Sequence, residues 1–516
     1  FQQTNVVGGE ISEGTGGITE GLRTRVVMPH TGSYWDTHHV LGHEIVHVFQ
    51  YNIAEAGPGG LNRLGALPLW LVEGMAEYLS LGRNDALTAM WLRDATLRDK
   101  LPTLKQLTTD PRFFPYRYGQ AFWAYVAGRY GDRAVVDVYR AALRVGWDQA
   151  LVRVLGVNQD SLSKDWISSI KTHYQPLLAD RTLPKDAGEP VLRQRKGGGD
   201  YNLAPTVSPD GKYVAFFSRR GLFTIDLFVA DAATGRIVKR LAGPTSDSHF
   251  DAISFISSSG DWSPDGRKFA FIAFAQGDHE VAILDVNSTD IERRIKLPGI
   301  GAVNNVAWSP DGRTLALSGM KGGISDLYLL DAQGGQLRQL TSDRHADIHP
   351  AWSPDSRTIA FATDRGARTS FDRLTFSPLQ LATIDVATAQ VTVRAPFPNA
   401  KQINPQFAPD GQSIFFISDQ DGFSDIYRMA LATGATNRVT RLATGVSGIT
   451  HTSPAMSVAR GTGRLLFSVF DEQGWGVYGL DAARTVGTPA TPAAVATGGI
   501  LPPGDTPGRS IVSTYL

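Results

Sequence analysis

A four-residue turn recurs through the second half of the chain and restricts its fold more than any other feature. It reads Ser208-Pro-Asp-Gly211, Ser263-Pro-Asp-Gly266 and Ser309-Pro-Asp-Gly312, with Ser353-Pro-Asp-Ser356 and Ala408-Pro-Asp-Gly411 as variants. Successive prolines lie 55, 46, 44 and 55 residues apart, a period that suits the blades of a β-propeller better than short solenoid repeats. Proline sets φ for the turn and glycine accepts positive φ, so the motif is turn chemistry first. After each turn comes an alternating apolar strand, a polar loop and a second strand, as in Leu315-Ala-Leu317 followed by Asp326-Leu-Tyr-Leu-Leu-Asp331. A degenerate sixth copy begins near Ser453-Pro454. We therefore expect an all-β six-bladed propeller over residues 201–486, with a strand from Glu189–Arg195 closing the ring. Residues 181–200, containing Gly197-Gly-Gly199, read as a linker and propeller entry, and 487–516, rich in Pro, Ala, Thr and Gly, as an irregular tail.

Residues 1–180 follow a different period. From about Asp36 to Ala179 apolar residues recur at helical spacing, which predicts a mostly α-helical (α+β) domain after a short strand in Arg23-Thr-Arg-Val-Val-Met-Pro29. The chain is multidomain, since 516 residues exceed what one core sustains.

The helical half contains His43-Glu44-Ile-Val-His47. Histidines at i and i+4 put two imidazoles on one helix face, as two ligands of a tetrahedral zinc require, and the intervening Glu44 falls where a general base can take a proton from water. Chance placement would produce this pattern about 0.005 times in a chain with 11 His, which sets aside the bland alternative of two core histidines. A third ligand is required. The segment Leu69-Trp-Leu-Val-Glu73-Gly-Met-Ala-Glu77-Tyr offers Glu73 and Glu77 at i and i+4 among apolar neighbours, where a buried acidic stripe is costly unless paired or metal-bound. His38 and His39 are read as sitting just before the helix, either as exposed cap-region residues or lining the cleft. With no cysteine in the chain, thiolate metal sites, disulfides and cysteine nucleophiles are all excluded.

Two resemblances sharpen these expectations. HExxH followed by Trp-x-x-Glu-Gly-x-Ala-Glu-Tyr resembles the gluzincin metallopeptidases, in particular the bacterial peptidase MA-like domains and more distantly the zinc aminopeptidases and thermolysin. By that resemblance the domain is zincin-like, His43, His47 and Glu73 bind Zn2+, Glu44 is the general base, and Glu77 orients a ligand histidine. Tyr116 and Tyr118 become candidates for the oxyanion donor, because related enzymes use a tyrosine downstream of the metal helix. Gly16-Gly-Ile-Thr-Glu20 lies where the aminopeptidases carry Gly-x-Met-Glu-Asn, and departs from it. The repeats, over roughly 189–482, resemble the WD40-like repeats of TolB-type propellers, which implies a periplasmic or secreted protein of the bacterial envelope.

The expected activity is zinc-dependent hydrolysis of peptide bonds in a peptide or protein substrate, with the propeller binding substrate or a protein partner. Two alternatives stay open: an envelope scaffold whose metal domain is vestigial, and a metallohydrolase of non-peptide amides or esters. Lys plus Arg equals Asp plus Glu at 50 each, so no net field draws nucleic acid, and no apolar run is long enough for a membrane-spanning segment.

Overall fold

The computed structural model describes residues 16–20, 25–57, 59–193, 201–220, 225–243, 252–503 and 512. The chain forms two compact units. Among the described residues, the first holds the strands at 18–27, residues 36–181 and the segment from Val495; the second holds Thr31–Trp35 and Thr182–Ala494. No described helix is long and apolar enough to cross a membrane.

The first unit is helical. Its described helices are α1 (Tyr34–Glu55), α2 (Leu61–Leu64), α3 (Leu69–Leu81), α4 (Ala86–Leu97), α5 (Leu104–Thr109), α6 (Pro115–Tyr130), α7 (Asp132–Val145), α8 (Trp147–Leu155) and α9 (Gln159–Leu178). Local sequence fixes several ends. Pro68 precedes α3 and Gly82 closes it at φ 73°, Asp85 caps α4 through the backbone N–H groups of Leu87 and Thr88, and Thr103 with Gln106 forms a capping box on α5. Trp70, Trp123, Trp166 and Tyr174 are fully buried and form the interior around α3 and α6.

Helices α3 and α6 touch backbone to backbone. A Cβ added to Gly74 would lie 2.3 Å from Gly119, and one added to Gly119 would lie 2.3 Å from the Trp70 carbonyl oxygen. Trp123 Nε1 donates to the Leu71 carbonyl across the same crossing at 2.9 Å. In α1 the usual polarity is inverted: His43, Glu44, His47, Gln50 and Ala54 form the buried stripe while Leu41, Ile45, Val48 and Phe49 are exposed. A two-stranded antiparallel sheet, Ile18–Glu20 with Arg25–Val27, completes the described part of the N-terminal region; residues 23 and 24 of the expected strand lie outside the described residues.

The expected irregular tail has little regular structure over its described length and is anchored at several points. Thr488–Pro489 adds a short strand to 436–438, and the following residues pack into the helical unit. Arg93, fully buried, donates to the Gly498 carbonyl at 2.5 Å, Tyr174 donates to Ile500 O at 2.8 Å, and Arg83 donates to Pro503 O. Asp85 N–H donates to Gly499 O and Leu501 N–H to Arg83 O, both at 2.9 Å. Gly/Pro-rich composition carries no periodicity, so it cannot reveal that its carbonyls satisfy buried guanidinium groups.

The second unit is a six-bladed all-β propeller. Five blades take consecutive antiparallel strands: 202–242, 252–296, 302–339, 347–394 and 402–438. The sixth combines 456–458, 465–471 and 474–480 with Glu189–Leu192, which pairs antiparallel with the last of these through Val477↔Leu192. The ring is thus closed by the segment expected to close it, in its described part. Four of the five turns hold themselves: Ser208 Oγ donates to Asp210 Oδ1 at 2.6 Å, and Ser263, Ser309 and Ser353 repeat the bond to Asp265, Asp311 and Asp355 at the same distance. Gly211 sits at φ 76°, and Ser356, where glycine is missing, still takes φ 59°.

The α3–α6 crossing leaves no room for a methyl group. Gly119→Ala is expected to destabilise the helical unit by about 1–3 kcal/mol, read as a lowered denaturation midpoint of that unit's transition.

Candidate functional site

Three donor atoms from two helices converge. On α1, His43 and His47 are one turn apart and their Nε2 atoms lie 3.1 Å from each other; on α3, Glu73 Oε2 lies 3.3 Å from His43 Nε2 and 3.2 Å from His47 Nε2. In a tetrahedral zinc shell with bonds of about 2.0–2.1 Å, ligand atoms stand about 3.3 Å apart, so the triangle fits that shell.

The protonation of the two rings is set from behind. Gln50 donates through Nε2 to the Val72 carbonyl at 3.0 Å, which turns its Oε1 toward His47 Nδ1 at 2.7 Å. His47 must then carry its proton on Nδ1 and keep a lone pair on Nε2, an assignment made from the network. Glu77 Oε1 lies 3.1 Å from His43 Nδ1 and imposes the same tautomer there. Two lone pairs and a carboxylate aimed at one point repel one another unless a cation or proton sits between them.

Glu77 is buried and serves three partners, since His39 Nε2 and Arg117 each lie 3.4 Å from it. Burial works to raise its pKa, and the hydrogen bonds from His39 and His43 and the charge of Arg117 overcome this and hold it well below the usual carboxylate range. Arg117 in turn reaches Asp85 Oδ2 at 3.4 Å and Thr88 Oγ1 at 3.3 Å. The reading of His39 as an exposed residue near the helix start is corrected, because α1 begins at Tyr34 and His39 is half-buried against Glu77. His38, by contrast, is exposed as expected.

Glu44 is buried beside this triangle, 5 % exposed. Thr19 Oγ1 lies 2.5 Å from its Oε2 and 3.0 Å from its backbone carbonyl, and a Cβ on Gly17 would come within 2.7 Å of its side chain. The strand at 18–20 therefore presses directly on this carboxylate.

The two tyrosines part company. Tyr116 lies nearly parallel to the His43 ring, centroids 6.0 Å apart, with its phenol near the Glu73 carboxylate. Burial and the Glu73 carboxylate hold its phenol proton well above the usual tyrosine range. Tyr118, 1 % exposed, packs edge-on against Trp91 and Phe113, and its pKa is raised by burial and then by Asp94. Two residues along a helix turn the side chain by about 200°, so only one of the pair can face the triangle. Tyr51, which sequence reasoning passed over, stacks on His47 at 6.2 Å. Thr19, Gln50 and Arg117 were missed too; Gln50 alone carried a signal, standing three residues beyond His47 on the buried stripe.

A family model described as "Peptidase of plants and bacteria" matches residues 24–166, and one described as "TolB beta propeller domain" matches 251–386. No curated protein matches the chain. Among solved structures, TolB from Acinetobacter baumannii is 21% identical, with coverage of 45% of this chain and 52% of that one and a TM-score of 0.36. The putative TolB from Agrobacterium tumefaciens is also 21% identical, covering 47% of this chain and 80% of that one, TM-score 0.36. The tricorn protease is 17% identical over 57% of this chain and 27% of that one, TM-score 0.38. The chain spans about half the length of the Acinetobacter TolB.

Without a bound ion, a proton on His43 offsets the charge of the neighbouring carboxylates. Burial alone would depress His43, but its hydrogen bonds to Glu73 and Glu77 raise it to about 9, above its ordinary 6.5. A raised folded-state pKa stabilises below the unfolded value and loses that stabilisation as pH climbs through the folded one. Chelator-treated protein should therefore lose thermal stability between pH 6.5 and about 9, with a weaker loss in His43→Ala, as followed by melting at a series of pH values.

Proposed function

We propose that the helical unit is a zinc-dependent metallopeptidase of the gluzincin type, with His43, His47 and Glu73 as the metal ligands and Glu44 as the general base. The observation that carries this reading is the triangle of donor atoms 3.1 to 3.3 Å apart, with a buried carboxylate beside it. The match to a peptidase family model across the same residues supports the substrate class.

A zinc ion held by these three residues supplies Lewis acidity toward the scissile carbonyl and brings the pKa of a water near neutrality. Glu44 takes the proton from the attacking water and passes it to the leaving amine, the two halves of general base and general acid work. Thr19 holds the Glu44 carboxylate in one orientation meanwhile. Tyr116, the phenol beside Glu73, donates to the carbonyl oxygen as charge builds on it, and the role first shared with Tyr118 falls to it alone. Gln50 and Glu77 keep the imidazole lone pairs pointed inward through each turnover. The propeller offers a surface for a substrate or protein partner, and its TolB-like repeats support a periplasmic or secreted location.

Purified protein should hold one zinc per chain by elemental analysis. Glu44→Gln should keep that zinc and lose about 10²–10⁴-fold in kcat on a general peptide substrate. Absence of stoichiometric zinc, or unchanged hydrolysis by Glu44→Gln, would sink the reading. Gln50→Leu should weaken zinc binding by about 10–100-fold in chelator competition, since His47 then loses the partner that fixes its tautomer.

A further inference from the structure

Beyond Tyr116 the wall of the site continues as a file of aromatic rings. Phe114 stacks on Tyr116 with centroids 5.3 Å apart and planes 26° apart, and Trp91 lies against Phe114 at 5.6 Å and 32°. Tyr118 backs Trp91 from the core, edge-on at 6.4 Å. The file thus runs from the His43 imidazole outward without interruption and ends on a buried support.

Phe114 is 41 % exposed, whereas its neighbour Phe113 is half-buried against Tyr118. A single exposed phenylalanine is ordinary on a protein surface. This one differs in being held in place. It is the residue before Pro115, which bars it from helical backbone angles, and it sits at φ −69°, ψ 114° as the N-cap of α6. The first turn of that helix carries Tyr116, so the exposed residue is fixed relative to the triangle by a proline and a helix start. The exposed part of this ring, pre-positioned beside Tyr116, gains from covering by another apolar group without first being ordered.

We propose that Phe114 and Trp91 form a subsite for an aromatic or large aliphatic side chain of the peptide, borne by a residue that flanks the cleaved bond. This rests on the peptidase reading and adds a substrate class to it. Acidic and small polar side chains gain nothing from the aromatic face and are discriminated against by the loss of buried apolar area.

The test uses the zinc-loaded full chain and peptides that differ only at the residues on either side of the cleaved bond, occupied in turn by Phe, Leu, Ser or Glu. Wild-type protein should prefer Phe and Leu over Ser by about tenfold or more in kcat/KM, and Phe114→Ala should bring that ratio within about threefold. Phe114→Leu, which keeps an apolar face, should retain the preference, with circular dichroism and zinc content unchanged in both variants. Equal cleavage of the Phe and Ser peptides by wild-type protein, or a preference that survives in Phe114→Ala, overturns the subsite while leaving the peptidase reading intact. Calorimetric binding of the same peptides to Glu44→Gln separates the two claims: tighter binding of the Phe peptide that is lost on adding Phe114→Ala supports the subsite even if no peptide is cut, and equal affinities overturn it.

Discussion

Where α3 crosses α6, two backbones meet with no side chain between them, and the candidate site inherits its geometry from that contact. Gly74 and Gly119 permit it, and Trp70 and Trp123 lock the helices on either side. Glu73 is the residue beside Gly74, so its carboxylate goes where the crossing sends it. Tyr116 stands one turn before Gly119 on the partner helix, and reaches the same carboxylate from the other side. A close-packed crossing transmits position with little slack, which is what a site needs if three donor atoms are to hold a separation within a few tenths of an ångström.

The same site runs against the usual economy of a folded chain. The buried stripe of α1 carries two histidines, a glutamate and a glutamine, while apolar residues of that helix face outward. Desolvating these groups is unfavourable unless each is paired. The structure meets this by nesting partners: His47 on Gln50, Gln50 on Val72, His43 on Glu77, Glu77 on Arg117 and Arg117 on Asp85. Removing one member leaves a charge or lone pair stranded in a dry interior, so the network is cooperative.

What could be read in the sequence follows from spacing. His43 and His47 at i and i+4, Glu73 and Glu77 at the same interval, and five copies of one turn all place residues by a local period, and the fold honours each. The closing strand of the propeller was visible through its position before the first blade. Other features depend on chain segments distant in sequence. Nothing in Ile18-Thr-Glu20 announces a hydroxyl aimed at Glu44, and nothing near Arg117 announces a partner on α3, because neither follows from a period. Tyr116 and Tyr118 could be known from helical geometry to face opposite ways, but which faces the triangle was settled only by the crossing of α3 and α6. The contacts of the C-terminal segment were illegible for the same reason, its partners lying on helices far upstream.

That segment also bears on how the protein is made. Arg93 and Gly498 are bonded across 405 residues of chain, with the whole propeller between them in sequence. The helical unit, although synthesised first, has a buried guanidinium whose carbonyl partner emerges from the ribosome only after every blade has done so. Closing a contact of such separation late, by loop-closure entropy alone, is affordable, but it orders events in time. The helical unit can acquire its finished form only once the propeller has been translated, so a chain interrupted within the repeats would carry the His43–His47 pattern on an incompletely sealed domain.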